Sequence, residues 1–517
     1  MEYVDTAEPN YGSKDKVSEI LKKYKEAQSI KDHWKDRFEE AYEYCLPNRE
    51  SFYDESPGQR RTDKIFDETA VVGVQEFASR LQAGIVPTFA RWADFQAGSE
   101  IPPEQKPEIN LELDKITDYV FQILQTSNFN QEIHEAFMDL AIGTGVMLVE
   151  EGDAINPIKF SSIPLTRVCL NNGPDGAIDT VYRTRYCKPD EINILYPKAV
   201  LPENFDPLRQ TKKIKIVEAV YKIYEPNVEK YKLCVVMEDP KHILFEETYT
   251  GEGANPYLVF RWNKASGEVY GRGPVFNAMS AIKTCNLTIE LILQNAQMSV
   301  SGVYTYEDDG VINPDNISLV PGSLIPVAPG SRGLTPIQAA SNFDVAQLVL
   351  NDMRANIKKA LYMEALGRPE GTPMTATEVS ERMADLSRQI GASFGRLQSE
   401  LINPLLRRII RILSKQGRID IPKVNGREVK IAPRSPLAQA QHLQDVADVT
   451  RFNEIIAGTF GPQMINLIVD QNATAKYLAE KMNLPEKLIR DEEEQKQLAD
   501  RMSQLQQSAG EEAPPES

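Results

Sequence analysis

Apolar residues recur in two rhythms along the chain, and the rhythm changes divide it into thirds. From Asp15 to Cys45 the large apolar side chains stand at Val17, Leu21, Tyr24, Trp34, Phe38, Ala41 and Cys45. These steps, mostly of three, four or seven, describe one helical face, with Pro47 as its stop. Asp63–Ala83 repeats the pattern through Phe66, Ala70, Val74, Phe77 and Leu81, and Gly84 and Pro87 end it. Further helices are predicted over Pro107–Gln125 and Asn130–Ile142. At Gly143-Thr-Gly145 the pattern changes to short β-rich runs: Val146–Glu150, Lys159–Leu170, Thr180–Cys187, Lys215–Tyr224, Lys230–Met237 and Tyr257–Trp262. Asn171-Asn-Gly-Pro-Asp-Gly176 is a turn signal. The βαβ alternation of a nucleotide-binding α/β domain is missing, so this third reads as a mixed or antiparallel sheet.

Near Gly271 the helical period returns. Pro274–Val300 carries Val275, Met279, Ile282, Leu287, Leu291 and Leu293, and Asn342–Leu366 carries Phe343, Ala346, Val349, Met353, Ile357, Ala360 and Leu361. Between them Gly302–Pro336 is strand-like and rich in Pro and Gly, so the pattern predicts a helical hairpin with a small tip. Leu348, Val349 and Leu350 in succession spread the second helix's apolar surface beyond one stripe. The loop Gly367-Arg-Pro-Glu-Gly-Thr-Pro-Met374 leads into Thr375-Ala-Thr-Glu378, a capping-box signature. The helix that follows keeps its stripe from Val379 to Ile412, roughly 60 Å to about Gln416 at ~1.5 Å per residue. Pro404 lies inside it and is expected to kink it, because the ring removes a donor and clashes one turn back. A strand-like stretch at Arg418–Ala432 follows, then helices near Pro436–Ala457, Pro462–Asp470 and Asn472–Met482. A very polar helix runs from Pro485 to about Gln507 before a tail expected to be disordered. The whole predicts an α+β fold, predominantly α.

Composition adds limits rather than chemistry. The 517 residues exceed one hydrophobic core and suit about three or four domains. Lys and Arg number 58 against 75 Asp and Glu, a formal charge of −17. Such a balance speaks against a general nucleic-acid coat, though not against DNA that merely passes by, where tight binding would hinder. Cys45, Cys169, Cys187, Cys234 and Cys285 are scattered and suggest neither a zinc site nor a disulfide framework. No apolar stretch approaches the ~20 residues that span a bilayer, and the N-terminus lacks a signal-peptide pattern. The expectation is a soluble protein, intracellular when made, with no membrane partner.

GxxxxGK[ST], HExxH and GxSxG are all absent. The four histidines (His33, His134, His242, His442) are far apart and read as surface or interface residues. Gly251-Glu-Gly253 and Gly271-Arg-Gly273 lack the third glycine of a phosphate loop and read as turns. Glu307-Asp308-Asp309 and Asp491–Glu494 could hold a divalent ion but read better as solvated charge. No catalytic residue, cofactor or metal is expected, and the protein reads as structural rather than enzymatic.

Tyr257-Leu-Val-Phe-Arg-Trp262, Tyr270-Gly-Arg-Gly-Pro274, Met374-Thr-Ala-Thr-Glu-Val379 and the stretch from Arg80-Leu-Gln-Ala-Gly84 to Arg91-Trp92 occur in an order that resembles the phage portal family. Within that family the chain is most similar to the head-to-tail connectors of short-tailed, T7-like phages. The resemblance is clearest over Pro256–Leu366 and covers most of the chain, less so its last 80 residues or so. It implies a homo-oligomeric ring, usually of twelve subunits, with wing, two-helix stem, small α/β clip and helical crown. The wing would take 1–270, helical over 1–142 and β-rich over 143–270. Stem helices would take 271–300 and 338–366, the clip 301–337, the channel loop 367–374, the long kinked helix with a wing strand 375–434, the crown 435–508 and a disordered tail 509–517.

The same resemblance implies that double-stranded DNA passes non-specifically through the ring during packaging and ejection. The candidates to meet it are Arg354, Lys358 and Lys359 on the second stem helix and Arg368 in the channel loop (Gly367, Arg368, Pro369, Glu370, Gly371, Thr372, Pro373, Met374). Lys358 and Lys359 pairing with acidic residues of a neighbouring subunit is the open alternative. Tyr304, Tyr306, Glu307, Asp308 and Asp309 are the candidates for docking at the clip, where the terminase large subunit and later the tail adaptor protein would bind. Major capsid and scaffolding proteins would be further partners, and the location would be the capsid's portal vertex, after assembly in the host cytoplasm. Other readings of the same chain are a non-portal structural or scaffold virion protein that assembles through the long helix, and a nuclease using scattered carboxylates.

Overall fold

The computed structural model describes residues 13–53, 62–98, 101–102, 105–202, 205, 212–226, 228–301, 304–305, 329, 335–336, 343–363, 391–420, 429–433, 436–461 and 468–481. The chain divides into two units. One comprises Met1–Gln82, Tyr119–Gly367 and Ala392–Ile421, and the other Ala83–Asp118, Arg368–Gly391 and Pro422–Ser517. The fold is α+β, with helix the larger share.

The larger unit contains a five-stranded antiparallel meander of β4 (Val168–Asn172), β5 (Ile178–Cys187), β6 (Ile214–Glu225), β7 (Val228–Met237) and β8 (His242–Thr250). Its central strands read as continuous apolar runs because both faces are covered. Side chains alternate along a strand, so Val217 and Ala219 of β6 and Cys234 and Val236 of β7 pack with Val17, Ile20, Leu21, Tyr24 and Ala27 of helix α1 (Ser13–Cys45). Ile214, Ile216, Val235 and Met237 point the other way, into a cluster with Ile192 of the short α5 (Ile192–Leu195), against which Tyr196 packs. A second sheet, in the order β3 (Ile158–Ser162), β2 (Thr144–Glu151), β9 (Tyr257–Arg261), is antiparallel throughout.

Three sequence expectations need correction. The single strand predicted over Lys159–Leu170 is two strands in different sheets, because Pro164 and a 3-10 turn at Leu165–Arg167 break the ladder between β3 and β4. The helix predicted from Asp63 begins at Thr69 instead and runs to Ile85 (α2), after a separate 3-10 turn at Thr62–Lys64. Its start is set by Asp67, whose Oδ1 accepts the Thr69 N–H at 2.9 Å, and by Asn286. The Asn286 Oδ1 takes the N–H groups of Phe66 and Asp67 at 2.7 and 3.2 Å, so neither can enter a helical ladder.

The third correction concerns Gly271-Arg-Gly273, which is more than a turn. Helix α4 (Phe129–Ile142) ends at Gly143, and helix α6 (Pro274–Ser301) begins just after Gly273. Here the two backbones touch. Gly273 N–H donates to the Ile142 carbonyl at 2.7 Å, Trp262 N–H to the Gly143 carbonyl at 2.9 Å, and Gly271 N–H to Thr144 Oγ1 at 2.8 Å. A Cβ on Gly143 would stand 2.1 Å from the Gly271 carbonyl oxygen, and one on Gly273 equally close to that of Ala141. Around this crossing Trp34 and Phe38 of α1 pack with Tyr270 and Phe276, with ring centroids 5.5–6.3 Å apart.

Below the crossing, α4 carries a buried carboxyl. Asp139 accepts the Tyr42 hydroxyl at 2.9 Å, and Arg49 Nη2 lies 3.6 Å from its other oxygen. Burial, with help from Glu135, pushes its pKa up to about 6 against the pull of Arg49 and Tyr42.

In the smaller unit β1 (Ala93–Ala97) pairs antiparallel with β12 (Val429–Pro433), from Ala93 opposite Pro433 to Ala97 opposite Val429. Helix α3 (Lys106–Thr126) supports β1 from its first turns, where Asn110 Oδ1 accepts the Ala97 N–H at 2.8 Å. Arg91 draws three aspartates together: Nε lies 2.5 Å from Asp94, Nη2 2.6 Å from Asp114 and Nη1 2.9 Å from Asp118. The strand expected over Arg418–Ala432 is described only as this shorter β12. Helices α10 (Pro436–Phe460) and α11 (Gln471–Lys481) match the expected Pro436–Ala457 and Asn472–Met482, whereas the polar helix from Pro485 lies outside the described residues.

Two outcomes follow. Gly143→Ala forces the crossing apart and should cost about 3 kcal/mol or more, the upper range for overpacking, read from denaturant unfolding. For Asp139, the folded pKa lies above the ordinary carboxylate value, so the folded state holds a proton that the unfolded state releases between about pH 4 and pH 6. The group therefore strengthens the fold as pH falls through this window. The stability of Asp139→Asn relative to the parent should rise by up to about 1.4 kcal/mol per pH unit from pH 4 to 6, and equal slopes for the two proteins would refute it.

Candidate functional site

The region built around α6 and α7 (Phe343–Ala360) is the candidate site, because it carries most of the charged positions singled out in the sequence that are described. α7 is shorter than the predicted Asn342–Leu366. The two helices pack on each other, and both leave apolar side chains exposed: Leu287, Leu291 and Leu293 on α6, Leu348 and Val349 on α7. Leu287 is 55% and Leu348 65% exposed, well beyond what a helix committed to a single core would leave.

Arg354 is held within the fold. Its Nε and Nη2 each lie 2.8 Å from Asp67 Oδ2, and the Cys285 thiol donates to the same oxygen at 3.3 Å. Burial disfavours the Asp67 carboxylate, but hydrogen bonds from Thr69, then from Arg354 and Cys285, outweigh it and hold the pKa below the ordinary value. With Asn286 Nδ2 donating to the Lys64 carbonyl at 2.9 Å, this cluster ties the start of α2 to both helices. Asp67 and Asn286 were not legible as a pair, since they stand 219 positions apart. The local signal was the Asp67 carboxylate two residues ahead of a helix.

Lys358 and Lys359 occupy the last turn of α7, exposed, and neither forms an ion pair among the described residues. How that turn ends is unusual. Met363 N–H donates to the Lys358 carbonyl at 2.9 Å and Tyr362 N–H to the Lys359 carbonyl at 3.1 Å, the paired bonds of a Schellman cap. The residue in the left-handed conformation is Tyr362, φ 58°, where glycine is the rule. An L side chain there costs about 1–2 kcal/mol, so the surroundings must hold it. The Tyr362 ring packs on Trp262 at 5.8 Å and Phe77 at 6.4 Å. Arg80 Nη1 donates to the carbonyls of both Tyr362 and Met363. Sequence inspection missed Tyr362 entirely and noted Arg80 only within a longer stretch.

Of the other candidates, Tyr304 lies in a two-residue strand, β10 (Tyr304–Thr305), paired with β11 (Thr335–Pro336). Tyr306, Glu307, Asp308 and Asp309 lie outside the described residues, as do Arg368 and the whole of Gly367–Met374. The long helix is described from Gly391 as α8 (Gly391–Leu397), a π-turn at Gln398–Ile402 and α9 (Asn403–Lys415). Pro404 does not end it. The proline ring would collide with the Glu400 carbonyl in a regular helix, and the chain widens by a residue just before, with Asn403 N–H reaching back to the Gln398 carbonyl. The π-turn carries Glu400 to Arg261 of β9, which it meets at 2.6 Å on Nη2 and 2.9 Å on the backbone N–H.

Among the described residues no cluster of His, Cys, Asp or Glu is placed to hold a metal, and no helix is long and apolar enough to cross a membrane. What the described region presents is paired sheets, clamped helices and exposed apolar flanks. The family described as bacteriophage head to tail connecting protein matches residues 17–489, and the chain belongs to it. It is 22% identical over 534 residues to the probable portal protein of Bordetella phage BPP-1, covering 95% of this chain and 92% of that one. It is also 22% identical over 449 residues to the portal protein of Salmonella phage epsilon15, covering 80% and 77%. To that of Escherichia phage T7 it is 21% identical over 376 residues, covering 68% and 66%. Among solved structures it is similar to a chain in the virion of the native gene transfer agent particle, with TM-score 0.35 and 13% identity, covering 82% of this chain and 94% of that one. The expected head-to-tail connector of the T7-like kind is borne out at the level of the family.

Arg354→Ala leaves the buried Asp67 carboxylate without its cation. With the guanidinium partly exposed, a loss of about 2 kcal/mol is expected, below the 3–5 kcal/mol of a fully buried pair, in chemical unfolding. An unchanged midpoint would show that Asp67 is satisfied without it.

Proposed function

We propose that this chain assembles into a closed ring at one vertex of a phage capsid, through which double-stranded DNA is packaged and ejected. The observation that carries the ring is the α6–α7 hairpin, whose exposed leucines lie outside its own packing. A helix in a ring meets a neighbour on each flank, and apolar positions beyond one stripe suit that. Wing, stem, clip, channel loop and crown follow the boundaries given by the resemblance, and twelve is the ring number it implies. The clip around β10 and β11 is the docking platform for the terminase large subunit and the tail adaptor, with Tyr304, Tyr306 and Glu307–Asp309 as candidate contacts. Capsid and scaffolding proteins are the remaining partners, met in the host cytoplasm. No catalytic step is assigned to the chain.

For DNA, Lys358 and Lys359 are the stronger candidates on α7, because Arg354 is committed to Asp67. Repeated around a ring, two lysines per subunit give a belt of mobile positive charge in an acidic protein. That suits transient phosphate contact without grip. Arg368 and the rest of Gly367–Met374 complete the proposed channel wall.

Negative-stain microscopy of the purified protein tests the ring. Closed rings with a central hole of about 20 Å or more, the width of duplex DNA, are expected, whereas monomers or open filaments overturn the proposal. Leu287→Lys with Leu291→Lys should leave a folded protein by circular dichroism that no longer forms rings.

A further inference from the structure

One face of α2 is devoted to the end of α7. Gly73, Phe77 and Arg80 are spaced four and three apart, so they lie in a row along the helix. Each meets a consecutive piece of the segment Leu361–Met363. At Gly73 an added Cβ would stand 2.5 Å from Leu361 Cδ1 and 3.2 Å from Met363 Sδ, so the absence of a side chain makes room for both. Phe77 packs on the Tyr362 ring and, edge-on at 5.1 Å, on Trp262. Arg80 is itself anchored by Glu76 at 2.9 Å and places Nη1 on the carbonyls of Tyr362 and Met363. Apart from the pair of Glu76 with Arg80 one turn on, this row adds little to α2's own stability. Glycine in mid-helix lowers it.

We propose that Gly73, Phe77 and Arg80 form a latch that holds Tyr362 in its left-handed conformation and thereby positions Lys358 and Lys359 for DNA. The link is direct, since the two carbonyls that accept the cap bonds belong to those lysines. With the latch closed, α7 stops at a fixed turn and the lysines project from a fixed backbone. With it open, Tyr362 relaxes to the right-handed region that most residues prefer, the paired cap bonds are lost and the last turn frays. Arg80 and Tyr362 are then positioning residues, acting through the lysines. This rests on the reading of Lys358 and Lys359 as DNA-facing; the latch itself does not.

Two measurements on assembled rings separate the parts. Hydrogen exchange at the amides of Tyr362 and Met363 reads the latch without DNA, and binding of a short duplex across a salt series reads the lysines. Arg80→Ala and Tyr362→Ala are each expected to speed exchange at those amides at least tenfold, since alanine keeps the cost of the left-handed turn and loses the ring that holds it. They should also weaken duplex binding and flatten its salt dependence as Lys358→Gln with Lys359→Gln does, and cost nothing further when added to that double variant. Arg80→Lys, which keeps the charge and one donor, should restore part of both. Unchanged exchange in both variants overturns the latch. Weakened binding in Arg80→Ala but not in Tyr362→Ala, which keeps every charge, also overturns the positioning role and makes Arg80 itself the DNA contact. If the lysine double variant binds duplex as the parent does while exchange still accelerates, the reading of the lysines fails and with it the positioning claim, leaving only a helix cap.

Discussion

The approach of Gly143 to Gly271 governs the larger unit, because two backbones meet there with no side chain between them at the point where three elements join. α4 ends there, β2 begins there and α6 departs from there. A crossing this close leaves almost no freedom in the direction of α6. The hydrogen bonds from Gly273 to Ile142 and from Trp262 to Gly143 fix both rotation and distance. The aromatic side chains of α1 close over it, so the long N-terminal helix, the sheet and the first helix of the hairpin share one joint. Moving the start of α6 by even an ångström would require Trp34, Phe38, Tyr270 and Phe276 to repack together.

From that joint outward, polar groups take over the work of placement. Asn286, three turns along α6, is satisfied by the segment Lys64–Asp67. Asp67 then meets Arg354 of α7 and caps the N-terminus of α2. The same logic places the long helix, where Glu400 on the π-turn reaches Arg261 of β9. Arg408, one turn after Pro404, gives its guanidinium to the carbonyls of Val149, Gly253 and Ala254. Buried arginines suit this role, since five donors in a fixed plane can bind several acceptors at once.

What could be read from the sequence divides along the same line. Periodicity alone located α1, α4, α6 and most strands to within a few residues, because burial against a neighbouring layer imposes a period of 3.6 or 2. The alternation of Ile216, Val217, Cys234 and Val235 between two clusters shows why the central strands looked uniformly apolar. Periodicity failed where a single distant group decides. The start of α2 depends on Asn286, the break between β3 and β4 on Pro164, and β8 escaped notice because an edge strand with Glu246, Glu247 and Thr248 lacks an apolar run. Gly271-Arg-Gly273 looked like a turn because a close packing of backbones leaves the same residue type behind. Apart from Asp67 standing two residues ahead of α2, the aspartate, aromatic and arginine contacts around Arg354 and Tyr362 carry no local signature. The portal family was legible only as an ordered set of short motifs.

The net charge of −17 takes on meaning against this background. Arg49, Arg91, Arg261 and Arg354 each lie against one or more carboxylates, and Arg408 is buried among carbonyls. These guanidinium groups therefore add little to the field outside the protein. Lys358 and Lys359 differ in kind as well as in place. They are flexible, strongly hydrated point charges at an exposed helix end, which can follow a moving phosphate without the fixed geometry that a guanidinium imposes. On the proposed reading as a DNA conduit, guanidinium groups committed to the fold and lysines left at its surface would screen a passing duplex while holding no part of it for long.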